Sequence, residues 1–349
     1  MWLLIIKIIA FALTAVIFYY SYIYAPGYKG AKSDHFDGKR FHNPQTTENK
    51  TFRDFIKWRR NRKLGPWRGY TDSPPGPPPP KRVGKGGLHV TFINHATTLI
   101  QVDNLNILTD PIWSERCSPF EWAGPRRVRP PGIRFEDLPP IDYILISHNH
   151  YDQLNIATLK RLHKKFEPLI LAGLGNSRLL KKKGLTKAKD LDWWQSLKLS
   201  DDVRLTSVPA QHFSGRGFFD QNKTLWMGFV IEGIVGAVYF AGDTGYGPHF
   251  KQIRERFGPI TFAILPIGAY QPRWFMSPVH ISPQEAVQVH QELEAAISMG
   301  VHFGTFIIAD DGQDEPVDEL YKALKKAGVP RSQFWVLDFG EGRDVCPRY

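Results

Sequence analysis

The sequence predicts a layered α/β domain with mixed sheets. Three observations point there. From residue 89 onward, short apolar runs alternate with segments of helical period. Several of those runs end in His or Asp, which is where open α/β sheets place their sites. No unit repeats at a period of 20–50 residues, so solenoids and propellers are excluded. With 349 residues, 42% of them hydrophobic and 13% aromatic, the chain can bury a sizeable core, and global disorder is excluded. Two cysteines, Cys117 and Cys346, rule out a disulfide framework and a Cys-rich zinc module but leave one bridge open.

Residues 1–25 carry a single charged side chain, Lys7, and Tyr19, Tyr20 and Tyr24 crowd the far end. The run is close to bilayer-spanning length, and amphipathic rings favour the membrane–water boundary, so an N-terminal transmembrane helix is expected, with a cleaved signal sequence as the rival. Lys29, Lys32, Lys39 and Arg40 on the flank favour a membrane-anchored body on the cytoplasmic side. Residues 26–88 read as a basic, Pro-rich tether. Thr51 opens a short helix over residues 52–60, and residues 73–80 form a polyproline II spacer. The first 90 residues hold 16 Lys/Arg against 5 Asp/Glu, so the whole net charge of +11 sits there and the body is neutral. A neutral body with a basic arm argues against a nucleic-acid partner.

Residues 89–349 form the predicted hydrolase domain. Residues 89–93, 97–102 and 105–109 read as hairpin strands turning at Asp103-Asn104. Residues 143–147 are a buried strand. Residues 155–166 are a helix with Ile156, Leu159, Leu162 and Phe166 on one stripe. Strands follow at 169–171, 203–208, 226–231, 238–240 and 262–265. Ser282-Pro283-Gln284-Glu285 is a capping box opening a helix, and residues 317–326 form another, ended by Gly328 and Pro330.

The chemistry gathers at strand ends. His148-Asn149-His150-Tyr151-Asp152 follows a buried strand, placing three metal-type side chains on alternate positions. His212, Asp243 and His302 each follow or flank another apolar run. Asp110, before Pro111, reads as a group that orients its neighbours.

The stretches Phe92-Ile93-Asn94-His95-Ala96-Thr97, Leu108-Thr109-Asp110-Pro111, Ser147-His148-Asn149-His150-Tyr151-Asp152 and His302-Phe303-Gly304-Thr305-Phe306 occur in order. They resemble the metallo-β-lactamase fold superfamily, and within it the N-acyl-phosphatidylethanolamine-hydrolysing phospholipase D family. The resemblance implies an αββα metallo-β-lactamase sandwich with two zinc ions at its upper edge. It assigns His148, His150 and His212 to the first metal, Asp152 and His302 to the second, and Asp243 to the bridge, with Asp152 and Asp243 the catalytic carboxylates. His280 and His95 would lie near the substrate. The family pattern continues His-Leu-Asp where this chain has Gln153-Leu154-Asn155. Gln153 is therefore a doubtful ligand. One tight zinc site is expected, beside an altered second site that suits Mn or Fe, an oxygen-preferring arrangement.

The function implied is a zinc-dependent phospholipase D-type phosphodiesterase, in which metal-activated hydroxide cleaves N-acyl-phosphatidylethanolamine-like phospholipids. Its partners would be membrane phospholipid and the bilayer, with a homodimer left open. A metallo-hydrolase of a soluble lactone or other ester, and a non-catalytic lipid-binding protein with a degraded second site, are the alternatives.

Overall fold

The computed structural model describes residues 2–46 and 50–346; Met1, residues 47–49 of the basic arm and the last three residues lie outside the described residues. Two seven-stranded mixed sheets pack face to face between layers of helices. The first contains β1 (Leu88–Asn94), β2 (Thr97–Val102), β3 (Leu105–Thr109), β4 (Tyr143–Ile146), β5 (Leu169–Gly173) and β6 (Ala188–Leu191), with β14 (Gly342–Asp344) returning to pair with β1. The second runs from β7 (Ser196–Lys198) through β8 (Arg204–Val208), β9 (Gly228–Gly233), β10 (Gly236–Phe240), β11 (Phe262–Pro266) and β12 (Ile297–Val301) to β13 (Phe334–Trp335). Each sheet begins as an antiparallel meander and continues in parallel, from β3 to β6 and from β10 to β13.

Strand alternation explains the layers. On β1, β2 and β3, Val90, Phe92, Ile100 and Ile107 join the core between the sheets, whereas Ile93, Leu99 and Leu108 face outward. The outward set meets α3 (Ile156–Phe166) through Leu159 and Leu162, and α4 (Asn176–Lys182) through Leu179 and Leu180. Asn155 caps α3, its side chain accepting from Thr158 N at 2.9 Å. The second sheet is covered by α5 (His249–Phe257), α7 (Pro283–Glu292), which starts with the expected capping box, and α8 (Glu315–Ala327), which ends at left-handed Gly328. Both cysteines are free.

The N-terminal expectation needs correction. The apolar segment forms α1 (Trp2–Phe18) followed by one π-helical turn, Tyr19–Ile23, and no helix among the described residues is long and apolar enough to cross a membrane. Seventeen residues span about 26 Å at the α-helical rise, short of the roughly 30 Å hydrocarbon core. The run stops because its tyrosine end docks on the body. Tyr19 Oη accepts from Phe219 N at 3.1 Å, Lys182 donates to Tyr20 O, and Ala25, fully buried, donates its N–H to Asp220 Oδ2 at 2.7 Å.

The arm that follows departs from a free spacer. Phe36 and Phe41 are buried in the core between the sheets. Gly65 N donates to Asp310 O at 2.7 Å, Trp67 Nε1 to Asp311 O at 2.9 Å and Gly76 N to Gly132 O at 2.7 Å. Polyproline II backbone makes no internal hydrogen bonds, so its carbonyls are open to neighbours, as Pro80 O accepts from Gln101 Nε2 at 2.8 Å. Within the arm, α2 (Phe52–Arg60) carries a capping box between Thr51 and Asp54 and buries Trp58, which stacks on Phe275 of α6 (Arg273–Met276). Phe52, Phe55 and Ile56 on the same helix stay exposed.

Candidate metal centre

The loops after β4, β8, β10 and β12 converge at one edge of the sandwich and bring His148, His150, Asp152, His212, Asp243 and His302 together. The turn between β1 and β2 adds His95, and the segment before α7 adds His280. Close backbone approach makes this possible. Gly242 has φ +62°, and a Cβ there would fall 2.5 Å from Ser147 Cβ, immediately beside His148. His95 and His302 also adopt left-handed backbone, at φ 51° and 67°, and are tied by His302 N donating to His95 O at 2.7 Å.

In one cluster, His148 Nε2 lies 2.7 Å from His150 Nδ1, which lies 3.4 Å from His212 Nε2. The opposite ring nitrogens fix the tautomers. Ser147 Oγ donates to Asp110 Oδ2 at 2.6 Å and therefore accepts from His148 Nδ1 at 2.9 Å. His212 Nδ1 donates to Val279 O at 2.8 Å. Both Nε2 atoms then present lone pairs to the same point. Burial holds all three imidazoles below their ordinary pKa, His150 down to about 3 and His148 well below, where the neighbouring imidazoles add to the effect. Three neutral imidazoles converging in this way fit a zinc-type ion. Asp243 Oδ2 lies 3.8 and 3.9 Å from His148 and His212 Nε2, while its Oδ1 is buried without a partner among the described residues.

The second cluster is filled by protein donors. His95 Nε2 lies 2.9 Å from Asp152 Oδ2, and His302 Nε2 lies 3.4 Å from that oxygen and 3.2 Å from Asp243 Oδ2. Gln153, fully buried, donates from Nε2 to Asp152 Oδ2 at 3.0 Å and to Asp243 Oδ2 at 3.1 Å. Burial opposes charge here, yet the partners win. His302 and His95 hold Asp152 well below the usual carboxylate range, and His302 with His148 does the same for Asp243. Burial would lower His302, but Asp243 and Asp152 raise it to about 10. This donor set is held together by hydrogen bonds and fits a second cation poorly.

Residues 105–303 match the β-lactamase superfamily domain. The chain belongs to the metallo-β-lactamase superfamily. N-acyl-phosphatidylethanolamine-hydrolyzing phospholipase D 1 of Caenorhabditis elegans is 37% identical over 269 residues, 74% of this chain and 76% of the relative. The mitochondrial enzyme of the same name in Saccharomyces cerevisiae is 34% identical over 66% of this chain and 50% of its own length. Among solved structures, Igni18, a metallo hydrolase from Ignicoccus hospitalis, superposes with a TM-score of 0.55 at 20% identity, over 74% of this chain and 98% of Igni18, which supports the fold. The resemblance to the phospholipase D family stands, and the protein is a metallo-hydrolase of the β-lactamase superfamily.

As a metallo-β-lactamase-type edge, this one has supports that the sequence did not announce. Asn43, in the arm, accepts His212 N at 2.9 Å. Arg216, half-buried, donates to Asn149 O and Leu154 O at 2.9 Å and covers the Tyr151 ring at 3.9 Å, clamping the loop that carries His150 and Asp152. No spacing rule singles out either residue. Asp110 acts through Ser147 on His148, as its position before Pro111 suggested. Arg127 and Arg129 fix structure: Arg127 donates to Ser114 O at 2.9 Å and Ile112 O at 3.1 Å, and Arg129 lies 4.1 Å over the Phe339 ring. His280 is buried beside the site, its ring 5.0 Å from that of His212, with Nδ1 unpartnered among the described residues. His249 and His290 are buried on α5 and α7.

Proposed function

We propose that the protein is a phospholipase D-type phosphodiesterase cleaving N-acyl-phosphatidylethanolamine-like phospholipids at a membrane surface. The observation that carries the reading is the buried cluster of His148, His150 and His212 beside Asp243, in a chain 37% identical to a phospholipase D of that substrate name. His148, His150 and His212 would hold a zinc ion, with Asp243 Oδ1 completing the set. When bound, such an ion polarises phosphoryl oxygen and lowers the pKa of water. The protein's own groups do the rest. Ser147 and the Val279 carbonyl hold the imidazoles in the tautomers that leave Nε2 free. His280 and His95 line the same edge, and neutral His280 offers Nδ1 to a phosphate oxygen.

Several features support a lipid interface. Much of α1 is open, with Trp2, Phe11 and Ile17 exposed on different sides. Where α1 meets the body it is flanked by further aromatics: half-buried Phe120 stacks on Phe18, Trp122 packs on Phe120, and Phe219 meets Tyr19. Phe218, Phe219 and Trp122 are exposed, and the Phe218–Phe219 loop follows Arg216, which touches the metal-type loop. Rings of this kind prefer the headgroup boundary.

The test uses purified full-length protein with one equivalent of zinc. Release of phosphatidic acid-type product and N-acyl ethanolamine from vesicles, with loss in His150→Ala, is the expected result. Hydrolysis of a lactone with none of the phosphodiester would move the reading to a soluble ester. No turnover of either would leave a lipid-binding protein.

A further inference from the structure

We infer that the side-chain amide nitrogen of Gln153 stands where a second metal ion would bind, so that the centre holds one metal ion per chain. This rests on the metallo-hydrolase reading of the site and specifies its stoichiometry. Gln153 Nε2 is 3.0 Å from Asp152 Oδ2, 3.1 Å from Asp243 Oδ2 and 3.1 Å from His302 Nε2. Those are the three donors that a second cation would need. A metal ion binds carboxylate oxygen or imidazole nitrogen at about 2.0–2.2 Å, so an ion among these atoms would overlap the amide.

The amide is fixed in this sense. Two carboxylate oxygens within 3.1 Å outweigh the single His302 Nε2 at 3.1 Å, so the NH₂ end faces them, because the reverse orientation would crowd three oxygens together. Gln153 is fully buried and follows directly on Asp152, with its backbone N donating to His150 O at 3.3 Å, so the side chain has no room to swing into water. Asp152 Oδ2 is also held from its far side by His95 Nε2 at 2.9 Å. The carboxylate is therefore surrounded by N–H donors supplied by the chain itself.

The contrast with the other cluster is chemical. At His148 and His212 the protons are drawn to the outer nitrogens by Ser147 and Val279, leaving inward lone pairs whose one neighbour at hydrogen-bonding distance among the described residues is His150 Nδ1, at 2.7 and 3.4 Å, itself a metal-type nitrogen that a cation would share with them. At Asp152 and Asp243, Gln153 supplies two N–H groups to the inward oxygens. The amide's Oε1 is buried without a partner among the described residues, a cost that the two bonds to carboxylates offset.

The experiment is metal counting on the full chain, reconstituted with excess zinc and freed of weakly bound ions by gel filtration, with elemental analysis as readout. One zinc per wild-type chain is expected, with a second equivalent binding at least about 100-fold more weakly. Gln153→His should hold two. Cobalt reconstitution gives an independent signal: an uncoupled ion in the wild type and a spin-coupled pair in Gln153→His. Two tightly held zinc ions in the wild type would overturn this inference and leave the metal-centre reading intact. None would overturn both. A folded Gln153→His that still holds one ion would show that Gln153 is not what excludes the second.

Discussion

Replacing Asn43 tests whether the N-terminal arm helps to build the centre. Its Oδ1 accepts from His212 N and from Trp226 Nε1, each at 2.9 Å. In Asn43→Ala the Trp226 indole keeps Ala210 O at 3.0 Å, so one donor, the buried His212 N–H, is orphaned. An unsatisfied buried N–H costs about 1–3 kcal/mol. Asn43 is only half-buried and water can enter, so the lower part of that range, about 1–2 kcal/mol, is expected. Because His212 N fixes where the ring hangs, zinc affinity should fall about 10-fold as well. Urea unfolding with and without zinc, and a chelator competition, measure the two effects. Asn43→Asp keeps an oxygen acceptor and should recover most of both. A loss below about 0.3 kcal/mol together with unchanged zinc affinity would refute the idea that the arm completes the site.

Ser147→Ala removes the group that accepts from His148 Nδ1 and leaves Asp110 with the backbone bond from Ser147 N alone. Zinc affinity should drop about 10- to 100-fold by the same competition assay, and an unchanged value would mean that the tautomer is set otherwise. His35 sits between Asp34 and Asp192 at 2.6 and 2.8 Å; burial lowers its pKa, but the two carboxylates outweigh it and the net shift is upward. A raised histidine stabilises fully below its unfolded value and loses that contribution as pH rises through its folded value. Wild-type stability should thus decline relative to His35→Gln as pH rises past the ordinary histidine value of about 6.5, and parallel curves would contradict this. Removing the helix Trp2–Phe18, or replacing Phe218 and Phe219 by Ser, should weaken vesicle binding about 10-fold or more while zinc content holds; equal binding would place the lipid contact elsewhere.

How much the sequence disclosed depended on how local the determining physics is. The hairpin strands were expected at 97–102 and 105–109 and are found there, because alternation and an Asp-Asn turn are short-range signals. The helix starting at Ser282 was visible through a capping box whose partners lie three residues apart, and the one following Asn155 through its apolar stripe. By contrast, β6, β7 and β14 carry polar side chains on sheet edges and have no apolar run to betray them. The strand expected at 226–231 begins at Gly228, since Trp226 and Met227 are buried as irregular chain. The arm gave no periodicity because its bonds go to residues more than a hundred positions away, as Asn43 does to His212 and Arg62 to Asp310.

The donor set of the centre was legible for a related reason. Imidazoles and carboxylates placed after apolar strands must leave the core together, and β4 of one sheet with β8, β10 and β12 of the other deliver them to the same edge of the sandwich. What those donors hold was not legible, because Gln153 is ambiguous in sequence. Its amide ends in an oxygen that can bind a cation and a nitrogen that can take a cation's place. Only the neighbours decide. Two carboxylates alone would invite an ion; here the two Oδ2 atoms that already meet His95 and His302 each take one more N–H bond, and the amide has that number. A single change from imidazole to amide can therefore convert a ligand into a substitute for the ion, while every other donor of the centre stays in position.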